Sequence, residues 1–300
     1  MTDNLHPDPS MIGGVPQAPL AFLPDPVKLF QTRAKRFAFL AETSELAPYL
    51  RFLADMSRLQ ARLAVTLPPV APLPDARRDQ ARAANMPPID RRAMLHDAAL
   101  ADTLAALTEA ALELEMPDEA RLALNAADDA DRQWLLENIL SDTIPEDSPA
   151  PHLFVACAVQ VHMARLAATL DAERLVPVGV GTCPTCGGRP VTSSVMGAQG
   201  IENIRYATCT CCNTQWNEVR VKCLCCGSTR GMSYRSAETT DATVKAEVCK
   251  ECKSWVKIFY QVRNASLEPV ADDVGSLGLD ILMKETEFRK GGFNPFLAGY

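Results

Sequence analysis

Four CxxC pairs constrain this 300-residue chain more than any other feature: Cys183/Cys186, Cys209/Cys212, Cys223/Cys226 and Cys249/Cys252. They use eight of the eleven cysteines, and ten of the eleven lie between residues 183 and 252. Twenty-two residues separate the first pair from the second, twenty-two separate the third from the fourth, and the spacing repeats at an offset of 40. Two cysteines three apart in a tight turn point at one cation, and two such turns supply the four sulfurs of a tetrahedral site. The duplication therefore predicts two closed sites, each holding one iron or zinc ion.

The residue after such a turn favours a left-handed backbone, which Gly adopts freely and Asn tolerates. Gly187, Asn213 and Gly227 suit that need, and Lys253 departs from it. Cys211 and Cys225 have no counterparts in the repeat, where Glu251 and Thr185 stand instead. Both are read as lying outside the ligand sets; the alternative, a shifted set that uses Cys211 or Cys225, breaks the repeated spacing. A disulfide framework would need an oxidising compartment. Residues 1–10 carry no basic stretch followed by an apolar core, and no apolar run is long enough to span a membrane. The expectation is a cytoplasmic chain whose paired cysteines bind metal.

Charge is unevenly distributed. Residues 1–182 carry 16 Lys/Arg against 25 Asp/Glu, residues 183–263 carry 11 against 6, and residues 264–300 carry 3 against 6. The basic middle raises a zinc-ribbon reading with nucleic acid as partner. Two tetrathiolate sites would add about −4 to that region, so its basic side chains read as counter-charges and nucleic acid is not expected as a partner.

The chain opens on a polar, proline-rich segment read as flexible through residue 24. Asp25 followed by Pro26 is a helix start, and Val27, Phe30, Ala34 and Phe37 follow at helical spacing. The basic side chains Lys28, Arg33, Lys35 and Arg36 read as a solvated face. Further helices are predicted at about 47–66, 97–115, 117–125, 131–139 and 151–170, with the proline-rich stretch 67–74 as a break. Nothing among them is catalytic: His6, His96, His152 and His162 are scattered, and Cys157 sits among apolar neighbours. Strands are predicted at 191–196, 201–208, 215–221, 232–235, 244–248 and 255–262, and a last helix at about 272–287.

The stretches CPTCGGRPVTSSV at 183–195, RYATCTCCNTQWNEVRVKCLCCG at 205–227, KAEVCKECKSWVKIFYQ at 245–261, VADDVGSLGLDILM at 270–283 and NPFL at 294–297 carry a resemblance to the family of formate dehydrogenase accessory proteins, FdhE. It extends more loosely to FQTRAKRFAFLA at 30–41 and YLRFLADMSRLQ at 49–60. It implies an α+β multidomain fold: a helical domain, two tandem rubredoxin-like, zinc-ribbon-type β modules, and a C-terminal helix. The corresponding divisions are a flexible segment 1–24, a helical domain 25–177, a first metal module 178–222, a second 223–265, and a helix and tail 266–300. It also implies a non-enzymatic, cytoplasmic factor for forming active respiratory formate dehydrogenase, binding its catalytic subunit before export. The ligands it implies are the same eight cysteines. Two alternatives stand beside it, a rubredoxin-like electron carrier and a zinc-ribbon regulator that binds nucleic acid.

Overall fold

The computed structural model describes residues 17–126, 129–145, 148–237 and 242–297. Its first helix, α1 (Pro26–Leu40), starts as Asp25 and Pro26 dictate: Asp25 Oδ1 accepts a 3.1 Å bond from the Lys28 amide. The predicted stripe of Phe30, Ala34 and Phe37 is buried against α2 (Ala47–Thr66), whose Leu50, Leu53, Met56, Leu59 and Leu63 face back. Prolines end α2. The next helix, α3 (Asp75–Ala83), escapes the hydrophobic pattern because it has no buried residue. Then come α4 (Ala98–Ala111), N-capped by Asp97, α5 (Asp118–Ala126) and α6 (Asp129–Leu140). The apolar α7 (Pro149–Ala167) runs through the middle and packs on α1, α2, α4, α5 and α6. Such all-round burial explains a helix that is hydrophobic on every side.

The strands form one sheet. In chain order they are β1 (Ala21–Phe22), β2 (Pro190–Ala198), β3 (Ile201–Cys209), β4 (Gln215–Glu218), β5 (Met232–Arg235), β6 (Val244–Cys249), β7 (Ser254–Tyr260) and β8 (Arg289–Lys290). Each cysteine repeat contributes a three-stranded antiparallel ribbon, β2–β4 or β5–β7. The two ribbons join edge to edge through a parallel pairing of β2 with β7, Ser193 opposite Ile258 and Val195 opposite Tyr260. Ribbons of about 40 residues are too small to stand alone on burial. Pairing gives them a common core and removes two exposed edges.

Three expectations change. The segment read as flexible through residue 24 enters the sheet: Ala21–Phe22 pair with β4, Ala21 is buried, and the Pro19 carbonyl accepts a 2.9 Å bond from the Tyr206 hydroxyl. The short apolar run Ala21–Phe22 covers the open edge of β4; residues 1–16 lie outside the described residues. The expected last helix is two, α8 (Ala271–Gly275) and α9 (Leu277–Lys284), with Ser276 between them donating to the Asp272 carbonyl at 2.6 Å. Gly275 lets this corner press on α1, since a methyl there would meet Leu40 Cδ1 at 2.8 Å.

The third change is on α1. Arg33, read as solvated, is fully buried. Its guanidinium donates to Glu268 Oε1 at 3.0 and 3.1 Å, to Gln160 Oε1 at 3.1 Å and to Asn213 Oδ1 at 2.7 Å. Arg36 follows, holding Asp272 through two bonds of 2.7 and 2.8 Å. The C-terminal acids form a second buried network. Lys257 pairs with Asp273 at 3.0 Å and with Asp280, Lys290 Nζ lies 2.6 Å from Asp280, and Asn294 donates to Asp273 at 2.8 Å.

Removing the Arg33 side chain would strand Glu268 as an unpaired buried charge. Arg33→Ala is expected to cost about 3–5 kcal/mol of unfolding free energy in urea denaturation, whereas Arg33→Met combined with Glu268→Gln should lose clearly less. His162 supplies a pH test. It is buried in α7, 3.7 Å from Asp97, and burial holds its imidazole below the ordinary 6.5. The unfolded chain therefore takes up the proton first, and stability is lost as pH falls below 6.5. Melting midpoints compared at about pH 7.5 and about pH 5.5 should fall less for His162→Gln than for the unaltered chain.

Candidate metal centres

Each CxxC pair sits in a turn at the end of a ribbon, and the backbone repeats its bonding at the sequence offset. The Gly187 amide donates to the Cys183 carbonyl at 2.9 Å and the Gly227 amide to that of Cys223 at 3.0 Å; Cys183 donates to Gly188 and Cys223 to Ser228. The residues closing the turns all have left-handed backbones: Gly187 (φ 74°), Asn213 (60°), Gly227 (77°) and Lys253 (54°). Lys253 adopts that conformation despite its Cβ, which shows how strictly the turn sets it.

Folding the ribbons gathers the eight sulfurs into the two expected sets. Cys183, Cys186, Cys209 and Cys212 form one, Cys223, Cys226, Cys249 and Cys252 the other, and within each set all sulfurs lie within 4.8 Å of one another. The shortest separations are 3.6 Å (Cys183 to Cys212) and 3.5 Å (Cys186 to Cys209) in the first, and 3.6 Å (Cys223 to Cys252) and 3.8 Å (Cys226 to Cys249) in the second. A tetrahedron with metal–sulfur bonds of about 2.3 Å has edges of about 3.8 Å, so both cages are the size a bound ion requires. Burial pushes the thiols of Cys183 and Cys212 well above their usual range. Four thiolates that close need a cation at their centre to stay ionised.

The surroundings of the two cages differ. All four cysteines of the first are buried, and the helical domain closes over its turns. The Ile89 amide donates to the Thr185 carbonyl at 3.1 Å, Gln160 Nε2 to the Thr210 carbonyl at 3.0 Å, and Arg33 to Asn213. Arg91, held by two 2.7 Å bonds to Asp142, crowds with Cys186 and Cys209 around Gly188. In the second cage Cys223 and Cys249 are buried, Cys252 is half-buried and Cys226 is exposed. Cys211 and Cys225 fall outside both sets. Sequence reasoning missed Ile89, Arg91 and Gln160, whose roles come from segments that no local pattern ties to the cysteines.

Cys186→Ser should lower the bound metal from about two ions per chain to about one and remove several kcal/mol of stability. Metal analysis of the purified chain, read beside its melting curve, checks both.

The family description "FdhE, N-terminal" matches residues 18–180, "FdhE, central domain" residues 182–220, and "FdhE, C-terminal domain" residues 221–297. The chain is 54% identical to the Protein FdhE homolog of Rhizobium meliloti (strain 1021), over 99% of this chain and 98% of that one. It is 33% identical to Protein FdhE of Salmonella choleraesuis (strain SC-B67), over 93% and 91% respectively. The crystal structure of the FdhE protein from Pseudomonas aeruginosa superimposes with a TM-score of 0.83 at 28% identity, covering 93% of this chain and 99% of that one. The chain belongs to the FdhE family.

Proposed function

We propose that this chain is a cytoplasmic accessory protein for the formation of active formate dehydrogenase, holding the catalytic subunit before its export. Its eight paired cysteines bind two ions, iron or zinc, and it performs no catalysis of its own. Membership of the FdhE family along the whole chain is the observation that carries the reading. The cages support it chemically. Four thiolates complete a tetrahedral shell and leave no position at which a substrate could be polarised or a water activated.

The residues of this chain do the work of building a surface. Arg33, Gln160 and Ile89 fasten the helical domain to the first cage, the β2–β7 pairing carries that order to the second, and Lys257 with Asp273 and Asp280 seats the C-terminal helices. A client held on such a composite face would meet prearranged groups, which lowers the ordering cost of binding. Among the described residues no helix is long and apolar enough to cross a membrane. One observation favours a second reading, a one-electron carrier: Cys226 of the second cage opens to solvent.

Tagged protein purified from cells expressing formate dehydrogenase, with mass spectrometry of partners and metal analysis of the same eluate, tests the proposal. The catalytic subunit should be recovered, and its yield should fall when both Cys183 and Cys186 are changed to Ser. Salt-dependent retention of DNA or RNA in place of that subunit would sink the reading.

A further inference from the structure

We propose that the two cages are functionally inequivalent: the first is a locked structural centre, and the second is the exchange-competent one, through which its ion is loaded, lost and attacked by external ligands. The inference rests on the reading that both cages hold an ion. Its ground is a comparison of equivalent positions at the offset of 40. The helical domain bonds to the first cage at three turn residues, Thr185, Thr210 and Asn213, all buried. Their counterparts at the second cage are Cys225, Lys250 and Lys253, and all three are exposed. The same local turn is therefore covered by the helical domain in one copy and not in the other, where the C-terminal segment reaches it instead, through the Arg289 amide on the Lys253 carbonyl at 2.8 Å and Gly291 beside Cys225.

The ligand atoms follow the same division. Exposure of Cys183, Cys186, Cys209 and Cys212 is 0%, 2%, 0% and 0%. In the second cage, Cys223 and Cys249 are 4% and 0% exposed and form its closed side, while Cys226 is exposed and Cys252 half-buried, leaving the opposite side open. Replacement of a thiolate at a tetrahedral ion requires an incoming donor to reach the metal. At the open side, the donor–metal bond forms as the bond to Cys226 Sγ breaks, and the released thiolate takes a proton from solvent. No electron changes hands. At the first cage the same approach requires the helical domain to separate from the sheet, breaking the bonds of Ile89, Gln160 and Arg33.

The full chain loaded with two equivalents of zinc is challenged with an excess of a chromogenic zinc chelator. Samples are quenched with iodoacetamide at intervals and mapped by mass spectrometry. Zinc should leave in two kinetic classes of one equivalent each, at least about tenfold apart in rate, the low end of the scale on which loss of outer contacts weakens metal affinity. Cys226 and Cys252 should be alkylated with the fast class, before any of Cys183, Cys186, Cys209 or Cys212. Cys225→Ser should retain both classes, which assigns the fast one to ligands of the cage and not to the neighbouring free thiol. Release of both ions in a single phase, or first modification of a ligand in the first cage, overturns the inequivalence and leaves the metal reading standing. A chain that takes up no zinc, with all eight thiols reacting at once, overturns both.

Discussion

One buried guanidinium, that of Arg33, fastens the two halves of this protein together. Its planar fork of donors reaches Glu268 near the C-terminus, Gln160 on α7 and Asn213 at the second cysteine turn. Glu268 in turn accepts the amide of Val270 at the start of α8. Four regions far apart in sequence therefore converge on one charge. A buried arginine is tolerable only when its donors find acceptors and its charge is balanced; here carboxylate and amide oxygens take four hydrogen bonds from the guanidinium, and Glu268 balances its charge. The first cage consequently lies inside the junction between helices and sheet.

From that placement follows the asymmetry of a duplicated unit. The two repeats share cysteine spacing, turn bonding and strand order, yet only one presents its turns to the helical domain. The parallel pairing of β2 with β7 puts the ribbons side by side in one sheet. The helical domain covers the first cage, and the second is left with an open side. Duplication supplied two like sites, and packing made their environments unlike.

The C-terminal segment shows a related effect. Residues such as Asp272, Asp273 and Asp280 carry no sign in the sequence of being buried, since acids on a short amphipathic helix ordinarily face water. They are buried because Arg36, Lys257 and Lys290 arrive from other elements to pair with them. Asn294, within the NPFL stretch, donates to Asp273 and so ties that motif to the DDV motif before it.

What the sequence determined by itself was whatever depends on near neighbours. The spacing of eight cysteines defined two cages, the left-handed positions after each pair followed from turn geometry, and the stripe of Phe30, Ala34 and Phe37 gave α1 its buried face. Local periodicity cannot register a partner a hundred or more residues away. Tertiary structure alone decided that Arg33 is interior, that Ala21–Phe22 close the sheet edge, that two ribbons merge into one sheet, and that one cage is covered while the other is open. The physical reason is the same in each case: burial and charge pairing are properties of what two distant segments do to each other, and they exist only once the chain has brought those segments together.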